Sequence, residues 1–248
     1  MILLIDIGNS RSRYAMLHPR PAALVEGEVV SNSDGIDALL ANISESPTEV
    51  YVSCVGAESL MQQVIAWSER EWRCTPVRLQ TQSSCCGVIN GYLQPERLGV
   101  DRWLAMIGAF GLVQGAVLVI DCGTVCTADL VDKMGQHRGG AMVPGIRLMQ
   151  QAMRSGTAAV KDESELTALW GRSTAESLGF GIQAGLTGYV KQLMAMAATA
   201  LQGPYTVVLT GGDAALLLGE IEGNVRHDNG LLFHGMAAVV RQRADDFR

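Results

Sequence analysis

An apolar strand ending in Asp-x-Gly-polar, followed by a second apolar run, occurs twice in this chain, once at the start of each half. The first copy is Met1 to Leu17, with Asp6, Gly8, Asn9 and Ser10 at its bend. The second is Val117 to Asp132, with Asp121, Gly123 and Thr124. Each reads as a strand, a tight turn and an antiparallel return strand, because β-branched and aliphatic runs are broken there by a glycine turn. A third glycine turn, Thr210-Gly211-Gly212-Asp213, follows the strand Tyr205 to Leu209. Duplicated units of this kind imply two related domains facing a common cleft. The turns are also where chemistry fits. Small residues let backbone N–H groups approach a phosphate, Thr124 adds a hydroxyl donor, and Asp121 at a strand end can hold a cation or its water shell. One such turn is ordinary; the repetition carries the argument.

The rest of the chain alternates in the manner of an α/β protein. Ala22 to Val30 reads as a third strand, Gly35 to Ile43 as a helix, Val50 to Val55 as a strand, Glu58 to Trp72 as an amphipathic helix and Pro76 to Leu79 as a short strand. Thr81 to Asn90 is polar, contains glycine and two adjacent cysteines, and reads as loop. Trp103 to Leu112 is so uniformly apolar that its helix must be buried on most sides. Asp101 lies in that helix's first turn, where the helix dipole alone would favour an acidic residue.

Gly135 to Gly145 ends in glycines and a proline, so that its backbone can approach either a ligand or a neighbouring strand, and Ile146 to Met153 follows as a helix. Gly156 to Thr174, with Lys161, Asp162, Glu163 and Glu165, is the least regular stretch: a lid, a dimer contact or a solvated loop. Thr174 is expected to cap a helix from Ala175 to Leu201. The stripe Leu186, Tyr189, Leu193, Met194 and Met196 on that helix suits core or a subunit interface. Asp213 to Glu220 and Leu231 to Arg241 are expected to be helices closing the second sheet, ahead of a frayed tail. The domains expected are residues 1–115 and 116–248.

Charge narrows the partners. Lys plus Arg number 19 against 25 Asp plus Glu, a net charge of −6 without a long run of either sign, which argues against nucleic acid. No apolar run is long and uncharged enough to span a bilayer, and no secretory leader is visible, so a cytoplasmic protein without membrane contact is expected. The six cysteines form no C-x-x-C pair and the four histidines are scattered, which argues against a zinc site or a disulfide framework. They read as small apolar side chains in a reducing compartment; Cys122, beside the second turn, is the one with chemistry nearby.

The order DIGNS, GVDRW preceded by GYLQPERL, DCGT, GGAMVPG and LTGGDA, running from Asp6 to Ala214, resembles the type III pantothenate kinases, within the wider superfamily of actin and hexokinase. The resemblance implies two actin-like (ribonuclease H-like) domains, each a mixed sheet with flanking helices, around a central cleft. It implies ATP-dependent phosphorylation of pantothenate, the first step towards coenzyme A, with Mg²⁺ and a monovalent cation, K⁺ or NH₄⁺, in a homodimer. By the same resemblance Asp6, Ile7, Gly8, Asn9, Ser10, Arg11, Ser12 and Arg13 cradle the ATP phosphates with Thr124, and Asp6 orients Mg²⁺ through water. The glycine turn at Thr210 lies on the adenosine side. Tyr92, Gly99, Val100, Asp101, Arg102 and Thr174 form the pantothenate pocket, Asp101 is the catalytic base and Asp121 the monovalent-cation ligand.

Two departures mark this chain. Arg13 stands where many relatives have lysine, a planar fork in place of a point charge, and Val125 replaces the usual alanine. The rival readings are a kinase of the same superfamily with another acceptor, which would carry a different sequence than GVDRW, and a nucleotide-binding accessory factor of transcription, against which Asp101 argues.

Overall fold

The computed structural model describes residues 1–19, 22–43, 45–157, 166 and 170–246. In chain order its elements are β1 (Ile2–Ile7), β2 (Arg11–Pro19), β3 (Ala22–Ser31), α1 (Asp37–Ala41), β4 (Glu49–Cys54), α2 (Glu58–Trp67), β5 (Val77–Arg78), β6 (Ser84–Cys85), β7 (Val88–Ile89) and α3 (Val100–Val113). The second half continues with β8 (Val117–Cys122), β9 (Val125–Val131), β10 (His137–Pro144), α4 (Ile146–Gly156), α5 (Thr174–Leu201), β11 (Thr206–Thr210), β12 (Val225–His227) and α6 (Leu231–Asp246).

The duplication seen in sequence is a duplication of sheet topology. One five-stranded sheet has the order β3-β2-β1-β4-β5 and the other β10-β9-β8-β11-β12. In each, the strand that ends in the aspartate lies at the centre. It pairs antiparallel with its own hairpin partner, Asp6 facing Arg13 and Asp121 facing Thr127, and parallel with the next strand on the other side. A centre strand covered on both faces has to be apolar throughout, and Leu3, Leu4, Ile5 and Ile7 in β1 and Val117 to Ile120 in β8 are all buried.

Each sheet has its own core. Leu3, Ile5, Ile7, Val50 and Val52 pack with Leu39, Leu40, Leu60 and Val64 of α1 and α2. Leu118, Ile120, Val207 and Leu209 pack with Ile182, Leu186 and Val190 of α5. The stripe expected on α5 is divided accordingly. Leu186 is core, Tyr189, Leu193 and Met194 are partly buried against it, and Met196 is exposed.

Several elements differ from the sequence reading. The stretch Gly135 to Gly145 is largely the edge strand β10, whose glycines accommodate a bulge between His137 and Gly139, the latter at φ +117°. A short strand, β12, follows where none was expected, and Asp213 to Glu220 holds only a single 3₁₀ turn at Ala214–Leu216. Helix α1 is one turn rather than nine residues, and the last five residues expected of α2 form a π-turn, Ser68–Trp72. Within Thr81 to Asn90 the strands β6 and β7 make a small hairpin. The charged stretch Lys161 to Glu165 lies outside the described residues.

The chain divides into two compact units, Met1–Leu112 with Gly230–Arg248, and Val113–Asn229. Helix α6, expected over the second sheet, therefore belongs with the first. Its contact with α3 is the reason: a Cβ on Gly235 would run into the carbonyl oxygen of Leu104, and one on Gly108 into that of Leu231, so the two backbones touch directly. Phe233, Met236 and Ala237 are buried there. Gly235→Ala is expected to cost about 1–3 kcal/mol through overpacking of this crossing, read as a lower midpoint in thermal or urea unfolding; an unchanged midpoint would show that the helices can separate freely.

Candidate active site

In the first unit β1 carries Asp6 to the sheet's end and buries it, with 6% of its surface exposed. Across the hairpin Arg13 donates to Asp6 Oδ2 from Nε at 3.3 Å and from Nη2 at 3.2 Å, and its guanidinium lies over the Phe233 ring of α6, 5.2 Å from the centroid. Asp6 Oδ1 is buried with no hydrogen-bond partner among the described residues. Burial pushes the Asp6 carboxyl above its ordinary value, Arg13 opposes this only in part, and the Asp101 carboxylate pushes the same way as burial. A buried oxygen lacking a partner, on a carboxylate whose charge is under-compensated, fits a hydrated divalent cation.

The bend after Asp6 is fixed by a residue that the sequence reading did not single out. Gly8 N–H donates to the Arg11 carbonyl at 3.0 Å, while Asn32 Nδ2 donates to the Gly8 carbonyl at 2.8 Å and Asn32 Oδ1 accepts from Ser12 Oγ at 2.7 Å. Ser12 is thus spent on holding the turn, and Ile7, fully buried, offers only backbone. Asn9 and Arg11 are exposed at the tip, with Ser10 half-buried between them. From β4's end, Val55 and Gly56 both donate to the Ile7 carbonyl at 3.0 Å.

The same unit brings the residues around Asp101 together. Asp101 stands in the first turn of α3, where its Oδ1 accepts from Arg102 N–H at 2.8 Å. Gly99 leaves the space for that carboxylate, since a Cβ there would lie 2.5 Å from Asp101 Oδ1. Arg102 is nearly buried and donates from Nη1 to the Tyr92 hydroxyl at 2.8 Å, its guanidinium 5.7 Å from the ring centroid. Tyr92 N–H donates to Asn90 Oδ1 at 2.9 Å. Tyr92, Gly99, Asp101 and Arg102 are therefore one cluster, with Val100 buried behind it.

The second unit repeats the turn on its own residues. Asp121 ends β8 opposite Thr127 and Thr210, and its carboxylate faces Gly211, where a Cβ would collide with it. Asp213 N–H donates to the Cys122 carbonyl at 3.0 Å, the counterpart of the Val55 and Gly56 contacts on Ile7. Gly145 N–H donates to the Thr124 carbonyl at 2.9 Å, and a Cβ on Gly145 would strike the Gly123 and Thr124 carbonyls. Gly145, the last residue of GGAMVPG, thus allows close approach to the turn itself. Asp129, two strand positions from Thr127, is taken up by a buried partner, His137 Nε2, at 3.0 Å.

One expectation changes, and the apolar reading of Cys122 stands. Ser173, not Thr174, is the N-cap of α5: Ser173 Oγ accepts from Glu176 N–H at 3.1 Å, and the Glu176 carboxylate accepts from Arg172 N–H. The Ser-x-x-Glu spacing carries that signal. Thr174 is the first helical residue and exposed. Cys122 is buried, and its hydrogen bond with Cys126, reinforced by burial, pushes its thiol far up, so it is no nucleophile.

Against known proteins, the family model described as Type III pantothenate kinase matches residues 2–196. A type III pantothenate kinase of Pseudomonas fluorescens is 36% identical over 96% of this chain and 98% of its own. Among solved structures, a putative Baf family transcriptional activator from Campylobacter jejuni superposes with a TM-score of 0.60 at 19% identity, covering 98% of this chain and 99% of that one. A ROK family glucokinase from Streptomyces griseus, solved with glucose and AMPPNP, superposes with a TM-score of 0.52 at 12% identity over 97% and 99%. At such identities the two superpositions speak for the actin-like kinase fold alone.

Proposed function

The chain belongs to the type III pantothenate kinase family, and from that premise we propose how its residues divide the ATP-dependent phosphorylation of pantothenate, the first step of coenzyme A synthesis. Phosphoryl transfer through a loose transition state asks a protein mainly for positioning and for neutralisation of charge. The observation that carries the assignment is Asp6: a buried carboxylate with one oxygen clamped by Arg13 and the other lacking a partner, within electrostatic reach of Asp101.

Asp6 Oδ1 is the group that would hold a hydrated Mg²⁺. When bound, that ion offsets charge on the transferring phosphoryl oxygens. The turn at Asn9 and Ser10, held through the Gly8 carbonyl by Asn32, and the Thr124 turn, held by Gly145, are assigned to the nucleotide phosphates. Arg13 neutralises Asp6 and adds a cation at the phosphates. Tyr92, Gly99, Val100 and Arg102 bind pantothenate, with Thr174 as a further contact, and Asp101 accepts the proton of the attacking hydroxyl. Incubating the purified protein with ATP, Mg²⁺, K⁺ and pantothenate should yield 4′-phosphopantothenate; turnover with a sugar or acetate and none with pantothenate would overturn the reading.

Asp121 is assigned to a monovalent cation, K⁺ or NH₄⁺, beside the second turn, where it would offset phosphate charge that backbone dipoles only partly cancel. Turnover should fall when Na⁺ replaces K⁺, because a smaller ion meets the same oxygens poorly. Equal rates in the two buffers would count against the site, as would an Asp121→Asn variant with an unaltered response.

The partly buried apolar residues of α5, Tyr189, Leu193 and Met194 beside exposed Met196, support a homodimer, two-fold symmetry being the commonest closed assembly. Light scattering at micromolar concentration should return the mass of two chains; the mass of one would refute it. Among the described residues no helix is long and apolar enough to cross a membrane. With a net charge of −6, a cytoplasmic enzyme acting without nucleic acid is the reading we hold.

A further inference from the structure

The β6–β7 hairpin turns on Cys86 and Gly87, at φ +50° and +81°. Both central residues at positive φ make this a two-residue turn of the I′ kind, for which Asn-Gly is the favoured pair. A cysteine at the first position is a poor choice for the turn alone. It brings Cys86 Sγ to 3.5 Å from Cys85 Sγ, and both are thiols. The pair is held from α6: Gln242 Oε1 accepts from Cys86 N–H at 2.8 Å and lies 3.6 Å from Cys85 Sγ. Cys85 is buried and Cys86 half-buried, so Cys86 is the side from which a small oxidant would approach the pair.

We propose that Cys85 and Cys86 are a modification site, a vicinal dithiol that closes to a disulfide on exposure to a peroxide and thereby weakens binding of the phosphoryl acceptor. The Cys86 thiolate attacks a peroxide oxygen, giving a sulfenic acid and releasing one water. The Cys85 sulfur then displaces the second oxygen as water and forms the S–S bond. Two thiols lose two protons and two electrons, and the peroxide is reduced to two waters. Adjacent α-carbons are 3.8 Å apart, below the usual 4.4–6.8 Å for bridged cysteines, so the ring is strained and easily reduced again. That is the behaviour of regulatory rather than structural disulfides.

The route to the acceptor cluster is short. The two sulfurs must close from 3.5 Å to about 2.05 Å, which pulls the turn from Gln242. Asn90, the residue after β7, ties the hairpin's base to Tyr92. Its N–H donates to the Ser83 carbonyl at 2.9 Å, its Nδ2 to the Gln82 and Pro95 carbonyls at 3.2 Å, and its Oδ1 accepts from Tyr92 N–H. Tyr92 in turn accepts from Arg102. Gly87 also lies beside Phe110 of α3, whose ring a Cβ at that position would meet at 3.3 Å, and α3 is the helix that begins with Asp101's turn.

The coupling rests on the assignment of Tyr92 to the acceptor side, so the test separates chemistry from turnover. Wild-type protein is treated with hydrogen peroxide and the peptide containing both cysteines is analysed by mass. The expected result is a loss of two hydrogens, restored by dithiothreitol. KM for pantothenate should rise about 2- to 10-fold, the equivalent of one hydrogen bond lost, while KM for ATP holds. Cys86→Asn, a better turn residue, should keep the fold and normal turnover and lose the response. Irreversible sulfinic acid in place of the disulfide would overturn the site, whatever the enzyme's substrate. A disulfide that leaves KM unchanged, or equal inhibition of wild type and Cys86→Asn, would overturn the coupling.

Discussion

Asp101→Asn is expected to lower kcat by about 10² to 10⁴, the range typical of a positioned general base, while pantothenate binding and melting temperature stay close to wild type. Asn keeps the shape and the acceptor that Asp101 Oδ1 offers to Arg102 N–H, so the start of α3 has no reason to loosen. What it cannot do is take a proton. A residue present only for the helix dipole would be replaced by Asn at little cost, and near-normal kcat would put Asp101 in that class. Steady-state kinetics, isothermal titration with pantothenate and a melting curve on the same preparation separate the two roles.

Asp6→Asn should be inactive by at least about a hundredfold, since a metal-orienting carboxylate supports several kcal/mol of charge stabilisation, and yet should be more heat-stable than wild type in metal-free buffer at neutral pH. The Asp6 carboxyl is raised above its ordinary 3.8 by burial, with Arg13 opposing this in part and Asp101 adding to the effect. The folded state therefore holds this proton more tightly than the unfolded chain. Stability from the group is fully present below pH 3.8 and is lost as pH rises through the raised value. Asn, always neutral, suffers no such loss, so the melting-temperature gap in its favour should widen from acid towards neutral pH. A gap that narrows over that interval would show that the Arg13 pair outweighs burial. Adding Mg²⁺ and nucleotide should stabilise wild type and leave the variant nearly unmoved.

The two hairpins were legible because a β-branched run stopped by Asp-x-Gly has few other foldings, and their repetition announced two like sheets. The edge strand β10 was not, because the glycines that fit its bulge are the residues that argue against a strand. Val225–His227 is too short to show a period. Burial of Leu231 to Val240 could be read from composition, but not which unit receives it; that depends on Gly108 and Gly235 meeting across more than a hundred residues of chain. Asn32 escaped for a similar reason. Nothing local marks a side chain that braces a turn 24 positions earlier. The cap at Ser173 was available and missed, because Thr174 beside it is equally a capping type and only the three-residue spacing to Glu176 separates them.

The membership of α6 in the first unit sets an order on synthesis. Residues 113–229 are contiguous and can fold as soon as they leave the ribosome, whereas the first unit, although translated earlier, lacks α6 until about residue 246 has emerged. Until then the face of α3 that receives Gly235 is open and no Phe233 ring backs Arg13. The first unit is therefore expected to complete its packing only after the second can form, with the apolar face of α3 uncovered until α6 is made and α6 supplying the ring that backs Arg13.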